Sequence, residues 1–187
     1  TLASLKATQT NKMDNDNKSA EIKAEGKAEA KQPEEKAAPP KDDPNKKIAV
    51  IRIRGLVNIR KTINNSLEIL RLYRRNYCVV LPNTPNIIGM VKKAKDYITW
   101  GELNDETYKL LVEKRGEEYK GREADNKKKI NYKNRYFVYN NKKYKKCFRL
   151  SPPRGGFERK GTKKAFSQGG ALGYRAEKIN LLIKKML

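Results

Sequence analysis

The chain has 187 residues, with 44 Lys and Arg against 21 Asp and Glu, a formal net charge of +23 and no histidine. Hydrophobic residues make up 37% of it, below the roughly 45–50% of ordinary globular domains. The missing histidine removes the commonest general base and metal ligand, and the charge points to a polyanion partner before an enzyme.

The charge is unevenly placed. Residues 1–44 contain no aromatic residue and no Arg. Through residue 47 there are 10 Lys against 9 acids, so the other 140 residues carry 34 basic and 12 acidic side chains, a net +22. Residues 1–47 are expected to be a disordered, low-complexity tail, because they lack the apolar surface to offset the entropy of ordering. The Lys/Glu/Ala run at 20–36 has helix-forming composition but no apolar stripe, and Pro33, Pro39, Pro40 and Pro44 mark the boundary. Cys78 and Cys147 have no CxxC spacing and are expected as reduced thiols. No apolar run approaches the roughly 18 residues of a membrane span, and the N-terminal region has no signal core. A soluble, cytosolic protein is expected.

Residues 48–54 alternate, with Ala49, Ile51 and Ile53 on one face and Arg52 and Arg54 on the other. The pattern predicts a half-buried strand with a basic outer face. Asn58 is the predicted N-cap of a helix over 59–74, whose stripe is Ile59, Ile63, Leu67, Leu70 and Tyr73. Its polar side carries Arg60, Lys61, Arg71, Arg74 and Arg75. Residues 77–81 predict a central strand ended by Pro82. Thr84-Pro85 starts a helix over 85–95, with Ile87, Ile88, Val91 and Ala94 inward and Lys92, Lys93 and Lys95 outward. Gly89 inside it costs about 1 kcal/mol relative to Ala, which suggests close approach of another backbone.

Residues 97–101 predict a third strand. Residues 104–115 predict a helix with acids in the first turn and Gly116 at its C-terminal cap. A loop follows over 117–134. Residues 136–139 and 144–150 are expected to pair as a hairpin across Asn140-Asn141, with Pro152-Pro153 breaking the second strand. Residues 157–173 should be extended and irregular, and a last helix runs over 175–186 on the stripe Ile179, Leu182, Ile183 and Met186. The expected architecture is α+β: a β-α-β-α-β two-layer sandwich over 48–116 with helices on one face, and a basic C-terminal extension over 117–187.

Catalytic readings find little support. The cysteines have no base partner, Asp96 and Glu102 fit solvated acids, and no cluster has zinc spacing. The basic readings are stronger. Residues 127–164 hold 15 Lys and Arg against one acid, Glu158, spaced by Tyr, Phe, Gly and Pro. A one-sign run in irregular chain suits nucleic acid. Arg154 stands between Pro153 and two glycines, where both backbone and guanidinium can reach phosphate. Gly169-Gly170-Ala-Leu-Gly173 precedes a helix and could cradle a nucleotide phosphate, admit an RNA backbone or form an ordinary turn. Phe157 and Tyr174 are candidates either for stacking on bases or for local packing.

Several stretches, in order, resemble the large-subunit ribosomal protein thirty family, in its longer archaeal and eukaryotic form and closest to the archaeal one. They are Cys78-Val-Val-Leu81, Gly89-Met90, Lys95-Asp-Tyr-Ile-Thr-Trp-Gly-Glu102, Phe148-Arg-Leu-Ser-Pro-Pro-Arg-Gly-Gly-Phe157, Gly169-Gly-Ala-Leu-Gly-Tyr-Arg175 and Glu177-Lys-Ile-Asn180. The likeness covers about residues 48–187. It implies a ferredoxin-like core, no catalysis, no cofactor, no metal and no small-molecule substrate. The implied role is structural, in the large ribosomal subunit, bound to large-subunit ribosomal RNA near the 5S RNA region and beside other ribosomal proteins. Carried over by position, the RNA contacts would be Arg52, Arg54, Arg60, Lys61, Arg71, Arg149, Arg154, Gly155, Gly156, Phe157 and Arg175. The charge pattern adds Arg74, Arg75, Lys92, Lys93, Arg159, Lys160, Lys163 and Lys164; the glycine-rich stretch adds Gly169 and Gly170, and the stacking reading adds Tyr174. The resemblance says nothing about the tail, and the Tyr- and Asn-rich stretch at 126–146 departs from it. A ribosome-assembly or other RNA-binding module of the same fold, and an RNA-modifying enzyme, are the competing readings.

Overall fold

A computed structural model describes residues 46–127 and 129–187 of the chain. The expectations for residues 1–45 lie outside the described residues.

The first strand, β1 (Lys47–Arg52), is flanked on both sides and runs antiparallel to β2 (Tyr77–Pro82) and β3 (Ile98–Glu102). Val50 stands opposite Val79 on one neighbour and Trp100 on the other. Two C-terminal segments extend the sheet. Strand β6 (Cys147–Arg149) pairs antiparallel with β2, and β7 (Gly173–Tyr174) pairs parallel with β3, giving the order β6-β2-β1-β3-β7. The β-α-β-α-β core is as predicted.

Helices α1 (Lys61–Ile69) and α2 (Pro85–Lys93) cover one face of the sheet. There Ile48, Val50 and Val79 meet Leu67, Leu70, Leu72, Ile88, Val91 and Ala94. The last helix of the core and the C-terminal extension cover the other face. Helices α3 (Asp105–Arg115) and α4 (Ile179–Met186) pack Leu111, Val112, Ile179, Leu182, Ile183 and Met186 on Ala49, Ile51, Cys78 and Phe148. Both faces of β1 are therefore buried, and the expected half-buried strand is instead a central one. Each such aliphatic side chain contributes about 1.5–3 kcal/mol by leaving water.

Helix α1 is shorter than the predicted 59–74, for two local reasons. Asn58 has φ +55°, whereas an N-cap residue needs extended backbone; Arg60 takes that place with φ −57° and ψ 136°. At the other end Arg71 has φ +61°. Its N–H donates to the Glu68 carbonyl at 2.9 Å, and the Leu72 N–H reaches the Leu67 carbonyl at 2.8 Å. These are the two bonds of a Schellman ending, with arginine in the left-handed position that glycine usually fills. Chain reversal there buries Leu72 and leaves Tyr73 exposed, so the last residue of the predicted stripe changes sides.

Pro85 occupies the first turn of α2 as predicted, behind Thr84. Gly89 does not mark a close approach: a Cβ there would have open space. Gly116 does cap α3, but with φ −66° rather than a left-handed backbone. Its need is room, since a Cβ would lie 2.3 Å from the Val112 carbonyl oxygen and 3.0 Å from the Tyr144 ring.

The hairpin forms from β4 (Tyr136–Tyr139) and β5 (Lys142–Lys145). Asn140 and Asn141 have φ +47° and +60°, the two left-handed residues of a tight hairpin turn. The predicted second strand over 144–150 is divided near Lys146. Its first part belongs to the hairpin and its second part, β6, to the main sheet. The segment after α3 lines the free side of β5, through Tyr119 N–H to the Lys143 carbonyl and Lys145 N–H to the Glu117 carbonyl, both 2.9 Å. Phe137, Tyr139 and Tyr144 turn inward onto the α3–α4 core.

Candidate RNA-binding surface

The Pro-Pro-Arg-Gly-Gly stretch forms a tight turn whose Gly156 N–H donates to the Pro153 carbonyl at 3.0 Å. Gly155, with φ +80°, fills the position that only a left-handed residue can take in this kind of turn. Pro153 is buried, while Arg154, Gly155 and Gly156 are exposed. The turn is anchored where the chain ends. Arg154 N–H donates to the Lys185 carbonyl and Ser151 N–H to the Met186 carbonyl, both at 3.0 Å. Arg115 Nη2 reaches Ser151 Oγ at 2.6 Å and the Leu187 carbonyl at 2.9 Å. Arg154 thus projects from a fixed base, next to Lys184 and Lys185 in the last turn of α4. Sequence reasoning missed that pair; the signal was two cations closing a helix beside the turn.

Residues 157–173 are irregular, as predicted, yet braced rather than extended. Lys160 N–H donates to the Gly169 carbonyl, Ala171 N–H to Gly161 and Leu172 N–H to Lys164, each at 3.1 Å. The backbones come close enough that a Cβ on Gly170 would lie 2.2 Å from the Lys164 carbonyl oxygen. Gly170 is buried: its smallness serves the protein's own backbone and leaves no cradle for a phosphate there. Phe157 packs on Ile53, Ala171 and Leu172. The Tyr174 ring lies 6.2 Å from that of Trp100. Burial, then the neighbouring Glu102 carboxylate, push its phenol above the ordinary tyrosine range. For both aromatics the structure shows local packing. Arg159, Lys160, Lys163 and Lys164 stay exposed on the outside of the strap.

Two arginines of the expected surface lie inside. Arg52 is 1% exposed. Its guanidinium donates to the carbonyls of Leu72 at 2.6 Å, Gly55 at 2.9 Å and Arg54 at 3.0 Å. Burial pulls its pKa below the usual arginine value. Arg175 is 3% exposed and donates to Glu158 at 2.8 Å, Thr99 Oγ1 at 3.0 Å and the Ala171 carbonyl at 3.1 Å. Its pKa too is lowered by burial, with Glu158 pulling the other way. Both side chains brace the surface from beneath instead of lining it.

The remaining candidates are accessible. Arg60, Lys61, Arg74, Arg75, Lys92, Lys93 and Arg149 are exposed, and Arg54 and Arg71 partly so. Arg54 lies over the Tyr97 ring at 5.0 Å. Arg149 pairs with Glu117 at 3.2 Å. Apart from Arg149 and Arg175, none of the candidate cations has a carboxylate partner among the described residues. The surface is therefore an array of unneutralised cations mounted on rigid backbone. Among the described residues no group of His, Cys, Asp and Glu could hold a metal ion, and no helix is long and apolar enough to cross a membrane.

Residues 48–98 match the family model described as ribosomal protein L30p/L7e. Three archaeal proteins called large ribosomal subunit protein uL30 are similar over most of the chain. That of Methanosphaera stadtmanae is 43% identical across 74% of this chain and 99% of its own length. That of Nanoarchaeum equitans is 42% identical across 74% and 97%, and that of Methanopyrus kandleri 39% across 72% and 100%. The chain belongs to the L30p/L7e family. It is a ribosomal protein and not an enzyme. Within this L30p/L7e chain the family match takes in β1 from Ile48 on, α1, β2, α2 and the first residue of β3. The Arg154 turn and the braced strap lie C-terminal to it.

Proposed function

We propose that this protein is a structural constituent of the large ribosomal subunit that binds large-subunit ribosomal RNA, near the 5S RNA and beside other ribosomal proteins, by neutralising phosphates. The contacts are assigned to the exposed cations: Arg154 with Gly155 and Gly156, the strap residues Arg159, Lys160, Lys163 and Lys164, the helix-side residues Arg60, Lys61, Arg74, Arg75, Lys92 and Lys93, and Arg54 and Arg149. Arg52, Arg175, Phe157, Gly170 and Tyr174 support that surface. The observation that carries the reading is that, among the described residues, all of these cations but Arg149 lack a carboxylate partner. A folded domain leaves like charges uncompensated at a cost in self-repulsion, and a phosphate backbone removes it.

The test is sedimentation of tagged protein from lysate before and after a high-salt wash. Salt-resistant co-migration with mature large subunits, near one copy each, is expected. A peak confined to precursor particles, or to the top of the gradient, overturns the structural role.

A further inference from the structure

Arg71, Arg135 and Lys146 come from three separate segments: the end of α1, the turn before β4, and the junction of β5 with β6. The left-handed backbone of Arg71 carries its side chain across to the hairpin. There the guanidinium donates to the carbonyls of Asn134 and, at 3.2 Å, Arg135. That fixes the short 3-10 turn Lys133–Arg135 against the end of α1. The Arg135 guanidinium itself lies 4.0 Å over the Tyr132 ring. Lys146 is half-buried beside Arg71; burial first, then the charge of Arg71, hold its ammonium below the ordinary lysine range.

The neighbouring cations differ in one respect. Lys143 pairs with Glu123, while Lys145 and Arg149 share Glu117. Arg71, Arg135 and Lys146 have no carboxylate partner among the described residues. Acids are thus spent on one side of the hairpin and withheld at its base. Two carbonyl bonds use only part of the five-donor fork of Arg71, and Arg135 and Lys146 retain their donors as well.

We propose that Arg71, Arg135 and Lys146 form a second RNA phosphate site at the hairpin base, distinct from the Arg154 turn. The inference rests on the RNA-binding reading above and adds to Arg71 two cations, Arg135 and Lys146, from the stretch where the chain departs from the family resemblance. Arg71 is both ligand and positioning residue, since its carbonyl bonds set where Arg135 stands.

The test is equilibrium binding of the full chain to purified large-subunit ribosomal RNA across a salt series, for wild type, R135Q/K146Q and R154Q. Each lost phosphate contact should flatten the plot of log K against log salt by about 0.7–0.9. The double variant is expected to lose up to two such increments with its thermal midpoint unchanged, and R135K/K146R should restore the slope. Should the double variant unfold, K146Q, which leaves the Arg71 carbonyl bonds intact, is expected to lose one increment. Wild-type slope and affinity in R135Q/K146Q or K146Q, alongside weakened R154Q, overturn this site and leave the general RNA reading standing. A wild-type chain that binds without salt dependence overturns both.

Discussion

The Arg52 guanidinium donates to the carbonyl oxygen of Leu72 at 2.6 Å, joining the end of β1 to the residue that closes helix α1. Leu72 is also the residue whose N–H completes the helix ending, on the Leu67 carbonyl. One buried cation therefore satisfies the carbonyls freed where the chain reverses. The arrangement costs desolvation of a guanidinium and is offset by its several charge-assisted hydrogen bonds.

Replacing Arg52 with alanine strips those carbonyls of their donor inside the protein. A loss of about 3–5 kcal/mol is expected, the scale of a broken buried polar network. Arg154→Ala, on an exposed turn, should change stability by no more than about 0.5 kcal/mol while weakening RNA binding. Urea unfolding of the two variants separates the roles. An unaffected midpoint for R52A would show that Arg52 does not hold the helix end.

Much of the fold was legible because apolar periodicity survives from sequence to structure. β1, β2, α2 and α4 sit within a few residues of where Ile51, Val79, Ile88 and Ile183 put them. The inward turn of Arg52 was not legible. Alternation separates two faces but does not say that both will be covered, and the second cover comes from α4, more than a hundred residues later. Nor does any local rule place arginine at a left-handed helix ending, as at Arg71. Arg154 is exposed with no carboxylate partner among the described residues, whereas Arg52 and Arg175 turn inward to carbonyls. That distinction depends on the fold as a whole: Arg52 reaches the carbonyls of Arg54 and Gly55 nearby and that of Leu72 twenty residues on.

Two glycines, one in α2 and one in the strap, should respond in opposite directions. Gly89 lies inside α2 with open space where a Cβ would be, so Gly89→Ala should gain about 0.5–1 kcal/mol. Gly170→Ala would drive a methyl into the Lys164 carbonyl, 2.2 Å away, and should loosen the strap and destabilise by about 1–3 kcal/mol. Thermal melts decide it. Loss of stability in G89A would mean that something packs on that face.

Thiol chemistry should distinguish native from unfolded chain. Burial pushes the Cys78 thiol up to about 12, so at pH 8 it stays in the unreactive thiol form. Iodoacetamide with mass-spectrometric mapping should leave Cys78 unmodified in buffer and alkylate it in denaturant. Rapid native modification would mean that β2 opens on the labelling timescale.

Acid should release the hairpin through Glu117. Its carboxyl is held below the ordinary 4.5, chiefly by the Lys145 hydrogen bond; burial opposes this, and the charges of Lys145 and Arg149 add to it. A depressed pKa contributes stability that is fully present above the unfolded value, near 4.5, and disappears as pH falls through the lower folded value. Amide exchange of β4 and β5 should therefore accelerate below about pH 4.5, the carboxyl's ordinary value, before the main sheet opens. Glu117→Gln should show faster hairpin exchange already at pH 7 and a flatter response to acid. Unaltered exchange in E117Q across that range would mean that Phe137 and Tyr144, packed on the core, hold the hairpin without the ion pair.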